Sequence, residues 1–158
     1  MRLWTDAVDR EGYFDSRYTC DIDNSSPELR WDEPPAGSVA FALIAEDPDS
    51  SKGSFAHWVV YGIPAEIDHL PAGIPPMDTL PNGIRQGVNG FNKLGYSGPC
   101  PPRGARSHRY YFRLHALSRI PEISNRATRG EVLAAIQPHI LETAEISGLY
   151  QRSLEKAG

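Results

Sequence analysis

Three short segments of this chain combine acids, imidazoles and hydroxyls in arrangements that could bind or react. The first is Glu46-Asp47-Pro48-Asp49-Ser50, which directly follows an apolar run. Two carboxylates that flank a proline are held in orientation, because Pro48 fixes its own φ and restricts Asp47. Asp47 and Asp49 are therefore candidate binding residues, although a turn with solvated acids has the same pattern.

The second segment is Phe55-Ala56-His57-Trp58, at the start of another apolar run. A histidine in this position could form a hydrogen bond, bind a metal or act as a catalytic base. A histidine beside aromatic residues is also compatible with a structural role. His57 is the candidate functional residue of this segment.

The third segment runs from Gly95 to Tyr110 and reads G-Y-S-G-P-C-P-P-R-G-A-R-S-H-R-Y. Its glycines allow backbone amides to approach a ligand, and its prolines stiffen the loop. His108 and Tyr110 are two residues apart and would point to the same side of a strand. The segment therefore predicts a cradle for phosphate or carboxylate, although a structural Gly/Pro loop has the same composition.

The distribution of charge favours an anionic ligand. No acidic residue occurs between Asp78 and Glu122, while seven basic residues do. They are Arg85, Lys93, Arg103, Arg106, Arg109, Arg113 and Arg119. We interpret this block as a source of local positive potential.

The bulk composition indicates one ordinary globular domain. The chain has 158 residues, 40% of them hydrophobic, and a formal net charge of −4. This balance gives no general attraction to nucleic acid, and no apolar run is long enough to span a membrane. The N-terminal residues lack the apolar stretch of a signal peptide. The two cysteines do not form the pattern of a disulfide scaffold, so we treat them as reduced and expect a cytoplasmic protein.

Hydrophobic patterning predicts the elements that would position these segments. Residues 38–46, 57–63 and 108–117 read as strands, the last with alternating faces. Weaker strands are predicted near 18–20, 29–31, 85–88 and 148–152. Thr128 and Glu131 form a capping box that starts a helix, and a second helix is predicted from Pro138 with Ile140, Leu141 and Ala144 facing inward. The sum is a mainly β protein, a β-sandwich with a short C-terminal helical pair.

The ordered set of motifs resembles the phosphatidylethanolamine-binding protein family, in its bacterial and archaeal Raf-kinase-inhibitor-like branch. The matching residues are Asp47-Pro48-Asp49, Gly53-x-Phe55-x-His57-Trp58, Gly87-x-Asn89-x-Phe91, Gly95-Tyr96-x-Gly98-Pro99-Cys100-Pro101-Pro102 and His108-Arg109-Tyr110. The match covers nearly the whole chain. Phe55 departs from the pattern, since eukaryotic members commonly have Trp there.

The resemblance implies an antiparallel sandwich of Greek-key type with a small anion-binding pocket at one end. The implied ligand-binding residues are Asp47, Asp49, Phe55, His57, Gly98, Cys100, Pro101, Pro102, His108 and Tyr110. It also implies a phosphate, phosphoethanolamine-like or carboxylate ligand. We expect no cofactor and no catalysis, because the sequence has no nucleophile elbow and Cys100 lies between prolines rather than at a helix N-terminus. Regulation of a kinase or another signalling protein and homodimer formation are expectations of the family alone. We expect Asp47 to form a hydrogen bond with one of the pocket histidines.

Three alternatives stay open at the level of sequence. His57, His108 and Asp47 could form an acid–base set, with Ser97, Ser107 or Cys100 as nucleophile. Two histidines and two aspartates could bind a metal, although their spacing matches no standard motif. The protein could also act through a surface that binds a partner, because such a surface needs no motif.

Overall fold

The computed structural model describes residues 1–51 and 53–154. The described strands are β1 Arg2–Trp4, β2 Leu29–Asp32, β3 Ala40–Asp47, β4 Phe55–Pro64, β5 His69–Leu70, β6 Arg85–Gln86, β7 His108–Leu117 and β8 Ile140–Tyr150. The helix α1 spans Arg129–Ile136, and short 3-10 helices span Ser16–Tyr18 and Gln137–His139. The protein is therefore mainly β, as predicted.

The strands form two antiparallel sheets. A five-stranded sheet has the order β6-β4-β3-β7-β8, and a three-stranded sheet has the order β1-β2-β5. Every pair of neighbouring strands is antiparallel. The predicted antiparallel sandwich is thereby confirmed.

The central strand β3 is buried on both faces, which explains its continuous apolar sequence. Leu43 and Ala45 belong to the core between the two sheets. Ala42 and Ile44 belong to a second core, which packs the large sheet against α1. Strand β7 instead alternates as far as Leu114, with Tyr110 and Phe112 buried and Tyr111 and Arg113 only partly buried.

The predicted second helix is wrong. Pro138 lies in the 3-10 helix, and from Ile140 onward the chain forms β8. The apolar residues at 140, 144 and 146 fit a period of two as well as a helical stripe. Pairing with β7 along its whole length selects the strand, because tertiary contacts override weak local propensity. The strand predicted near residues 18–20 is also wrong, since a 3-10 helix and a turn occupy that region.

The cysteines are also not reduced, because Cys20 and Cys100 form a disulfide bond across 80 residues of sequence. Their separation in the chain concealed a contact that only the fold creates. The bond removes one of the two grounds for the cytoplasmic expectation, since disulfides persist mainly in oxidising compartments. In the described ranges, no helix is long and apolar enough to cross a membrane.

Candidate functional site

A cavity of about 440 Å³ lies at one end of the large sheet. Nine of the ten predicted ligand-binding residues line it: Asp47, Asp49, Phe55, His57, Cys100, Pro101, Pro102, His108 and Tyr110. The volume falls within the range of roughly 300–1,000 Å³ that is typical of small-molecule sites. The fold thus brings these nine residues together at one cavity, while their contact with a ligand stays a prediction.

Three strand ends meet at this cavity because of the antiparallel pairing. Strand β3 ends at Asp47, which lies opposite Phe55 at the start of β4. Strand β7 runs antiparallel to β3 on its other side and begins at His108. The acid of β3 and the imidazole of β7 are thus brought together from positions 61 residues apart.

Each oxygen of the Asp47 carboxylate contacts a polar group. Its Oδ2 lies 2.7 Å from His108 Nδ1, and its Oδ1 accepts a hydrogen bond of 2.8 Å from the backbone N–H of Asp49. The predicted contact between Asp47 and a pocket histidine is therefore confirmed. Because Nδ1 of His108 is engaged, Nε2 is the ring nitrogen left to meet a ligand.

His57 has a different environment. Its Nδ1–H donates a hydrogen bond of 2.7 Å to the carbonyl of Ser97. Burial lowers the pKa of His57, while the contact with Ser97 and the charge of Asp47 act in the opposite direction. The ring is thus neutral at neutral pH, and its Nε2 is a hydrogen-bond acceptor.

Tyr110 keeps its proton. Burial, followed by the charges of Asp47 and Asp49, raises the pKa of Tyr110 well above its usual value. Its ring packs edge-on against His57, with the centroids 5.3 Å apart. Within the described part of the chain, no hydrogen-bond partner is found for the Tyr110 hydroxyl, so this group can donate to a ligand.

Asp49 connects the turn after β3 to the start of β7. Its Oδ2 accepts a hydrogen bond of 3.0 Å from the backbone N–H of Arg109. This contact, together with the one between Asp47 and Asp49, fixes the Asp-Pro-Asp turn from both sides. The two acids therefore shape the cavity as well as giving it charge.

Three residues that line the cavity were not among the predicted binding residues. They are Ser50, Ser51 and Phe91. Phe91 packs edge-on against Phe55, with the centroids 4.7 Å apart, and adds apolar surface to the lining. Phe91 belongs to the Gly87-x-Asn89-x-Phe91 motif, so the family resemblance could have indicated it as a residue of the site. The two serines directly follow the Asp-Pro-Asp turn.

Gly98 is the predicted binding residue that is absent from the described lining of this cavity. A Cβ atom on Gly98 would lie 2.1 Å from the carbonyl oxygen of Tyr18. The Gly98 N–H donates to Asn24 Oδ1 at 2.7 Å. The glycine therefore allows close packing of the loop on the segment around Tyr18. Its proposed contact with a ligand stays a prediction.

The block of basic residues does not surround the cavity, contrary to our interpretation of the sequence. Among the described residues that line the cavity there is no lysine or arginine. Arg113 instead binds Glu46 and Glu145 at 2.6 and 2.9 Å. Arg103 lies 3.7 Å from Asp21. Acids from distant parts of the sequence therefore fold against these two arginines, which are engaged away from the cavity lining.

Another cavity, of about 450 Å³, is lined by residues between His69 and Ile84. Its lining is largely proline and aliphatic, and it lacks the convergent acids, imidazoles and phenol of the first cavity. Perturbed titratable groups mark functional sites, so the cavity at Asp47 is the candidate site. In residues 1–51 and 53–154, no group of three or more His, Cys, Asp or Glu side chains is placed to hold a metal ion.

Comparison with known proteins agrees with the fold. The family model described as "Phosphatidylethanolamine-binding protein" matches residues 4–151. A UPF0098 protein of Methanothermobacter thermautotrophicus is 43% identical over 152 residues, which cover 96% of this chain and 99% of that protein. The crystal structure of YbcL from Escherichia coli, described as a new member of the mammalian PEBP family, has a TM-score of 0.87 and 29% identity, covering 95% of this chain and 97% of YbcL.

A second solved structure supports the same relationship. The putative phosphatidylethanolamine-binding protein homologue CT736 of Chlamydia trachomatis has a TM-score of 0.83 and 30% identity. The alignment covers 96% of this chain and 97% of that structure.

Proposed function

The chain belongs to the phosphatidylethanolamine-binding protein family, and we propose that its cavity at Asp47 binds a small anionic group, phosphoryl or carboxylate, without turning it over. The observation that carries the proposal is the convergence of His57, His108 and Tyr110 on one cavity. His57 and His108 each form a hydrogen bond through Nδ1, which leaves Nε2 of both rings, together with the Tyr110 hydroxyl, to meet a ligand. An anion needs several such groups that converge on one point.

The three groups would divide the recognition of a phosphoryl group between them. Tyr110 stays protonated and donates through its hydroxyl. His108 donates through Nε2 when its ring is protonated, with Asp47 holding the opposite nitrogen. His57 is neutral and accepts through Nε2, which suits the P–OH group of a singly protonated phosphate.

The remaining lining fits a ligand of phosphoethanolamine type. Phe55, Phe91 and the two prolines provide an apolar wall that reduces the local dielectric and strengthens the polar contacts. Asp49 brings a negative charge to the same cavity, which would attract an ammonium group. A zwitterion therefore matches the mixed charge of the lining better than a group with several negative charges does.

Binding without catalysis is favoured by the state of the three candidate nucleophiles. Cys100 is bonded to Cys20 and has no free thiol. Ser97 Oγ accepts a hydrogen bond from Asn89, and Ser107 Oγ donates to Gln151. None of these atoms is paired with His57 or His108 in the way that an activated nucleophile requires. Kinase regulation, a homodimer and a cytoplasmic location stay predictions from the sequence.

The test of the proposal is the Tyr110→Phe variant, titrated with inorganic phosphate at constant pH and ionic strength. The change removes one donor and keeps the ring. A hydrogen bond to a charged group contributes about 1.5–3 kcal/mol, so Kd should rise roughly 10- to 150-fold. Isothermal titration calorimetry measures this directly.

Tyr111→Phe is the matched control, because Tyr111 lies on the opposite face of β7 and packs against Arg113. It should bind phosphate as the unmodified protein does. Equal affinity for phosphate in the Tyr110→Phe variant, or no binding by the unmodified protein, would contradict the proposal.

A further inference from the structure

The disulfide bond forms part of the wall of the candidate site. Cys100 is exposed and lines the cavity, while Cys20 is partly exposed. The bond joins the loop that carries Pro101 and Pro102 to the turn that follows the 3-10 helix Ser16–Tyr18. Both cysteine residues thus keep solvent-exposed surface, unlike residues enclosed in the core.

A guanidinium group lies beside one of the two sulfur atoms. Nη1 of Arg152 is 3.5 Å from Cys100 Sγ. Asp21 balances part of this charge, since its Oδ1 lies 3.0 Å from Arg152 Nε and 3.7 Å from Arg103 Nη2. Arg152 is therefore the cation placed against sulfur, and it lies on the Cys100 side of the bond.

We propose that the Cys20–Cys100 disulfide is a site of thiol–disulfide exchange with dithiol reductants, that Cys100 is its leaving sulfur, and that reduction weakens anion binding in the adjacent cavity. The exchange reaction does not depend on the proposed function. The effect on affinity rests on it.

The reaction follows from the charge distribution. A thiolate of the dithiol attacks Cys20 Sγ, the bond between the two cysteines breaks, and Cys100 leaves as a thiolate that Arg152 stabilises. The second thiol of the reductant then attacks its own sulfur in the mixed disulfide and releases Cys20. The dithiol is oxidised to a cyclic disulfide, and the protein gains two electrons. Cys20 takes up one proton, Cys100 stays a thiolate beside Arg152, and the second proton of the dithiol goes to solvent.

Reduction would change the cavity without dismantling it. Three contacts still hold the loop against the same segment: Tyr96 Oη to Tyr18 O at 2.6 Å, Gly98 N to Asn24 Oδ1 at 2.7 Å and Cys20 N to Pro99 O at 3.2 Å. In the reduced protein the part of the wall around Cys100 is nevertheless less constrained. Ligand binding must then order this part of the loop, which weakens the affinity. A Cys100 thiolate also adds negative charge where the anion binds.

The first experiment measures exchange in the native protein. The disulfide should be reduced by dithiothreitol without denaturant, with two thiols appearing. The rate should fall roughly threefold or more in Arg152→Gln, because the leaving thiolate loses its cation. Arg103→Gln is the control, since it removes the neighbouring contact with Asp21 and keeps the contact with sulfur. A bond reduced only after denaturation, or equal rates in both variants, would overturn the exchange proposal.

Trapping identifies the sulfur that is attacked. A brief reaction with a monothiol such as 2-mercaptoethanol, an acid quench and peptide mass spectrometry should place the adduct on Cys20 and leave a free thiol on Cys100. An adduct found on Cys100 would overturn the assignment of the leaving sulfur.

A second experiment measures phosphate affinity in the oxidised and reduced states. Reduction should raise Kd about fivefold, and the Cys20→Ala/Cys100→Ala double variant should show a smaller rise, because it lacks the thiolate. Equal affinity in the oxidised and reduced protein would overturn the coupling. If neither state binds phosphate, the proposed function fails together with the coupling, while the rates and trapping still decide the exchange reaction.

Discussion

The close packing of Gly98 gives the most specific structural prediction. Gly98 does not have a positive φ, so its backbone permits alanine, and the obstacle is space alone. A Cβ atom would lie 2.1 Å from Tyr18 O, roughly 1 Å closer than van der Waals contact allows. The disulfide between Cys20 and Cys100 prevents the two segments from separating to relieve the overlap.

The loss of stability in Gly98→Ala can be worked out from the contacts at this point. A shift of the loop by about 1 Å would disrupt three hydrogen bonds, from Tyr96 to Tyr18, from Gly98 to Asn24 and from Cys20 to Pro99. At about 1 kcal/mol each, the free energy of unfolding should fall by about 3 kcal/mol. Tm should fall by roughly 6–12 °C. Equilibrium unfolding in urea under oxidising conditions measures the first quantity.

A second glycine provides the matched control for this substitution. Nothing lies within 4 Å of a Cβ atom built on Gly130, which is in the first turn of α1. Gly130→Ala should leave the free energy of unfolding unchanged or raise it by up to about 1 kcal/mol. A free energy of unfolding of Gly98→Ala within about 0.5 kcal/mol of that of the unmodified protein would refute this prediction. The overlap would then be relieved without breaking the three hydrogen bonds.

Two further predictions concern buried titratable groups. Burial lowers the pKa of His57 from 6.5, so the unfolded state takes up a proton at a higher pH than the folded state. The free energy of unfolding should therefore decrease as pH falls below about 6.5. Urea unfolding between about pH 5 and about pH 8 should show a smaller dependence of this free energy on pH in His57→Gln than in the unmodified protein. Parallel profiles for the two proteins would contradict the assignment. Glu46 is buried and binds both Arg113 and Arg129, which are about one-third exposed. Glu46→Gln should lower the free energy of unfolding by about 2 kcal/mol. Glu28→Gln, in an exposed pair with Arg30, should change it by less than about 0.5 kcal/mol. Similar losses in both variants would show that the buried ion pairs of Glu46 stabilise the fold no more than an exposed pair does.

The sequence could predict much of the site because local geometry decides much of it. Pro48 orients the acids on both sides, and the spacing of His108 and Tyr110 places both on one side of a strand, so both features survive in the fold. The convergence of these segments depended on the resemblance to a family. Periodicity alone contains no information about which strand ends meet.

Features that depend on distant contacts could not be predicted in the same way. The Cys20–Cys100 bond and the pairing of Arg113 with Glu46 join residues that are far apart in the chain. Residues 140–150 illustrate a different difficulty, because their apolar spacing fits two periods and pairing with β7 makes the choice. Gly98 shows that a glycine near a binding site can be needed for close packing against a neighbouring backbone and not for contact with a ligand.

The most direct test of the central claim is an NMR titration of the histidine side chains with inorganic phosphate at constant pH and ionic strength. The chain has five histidines, and we propose that only two of them contact the ligand. The ring signals of His57 and His108 should shift together and saturate with one Kd, while those of the exposed His69 should not change. Shifts confined to His69, or different saturation curves for His57 and His108, would contradict a single anion site between the two imidazoles.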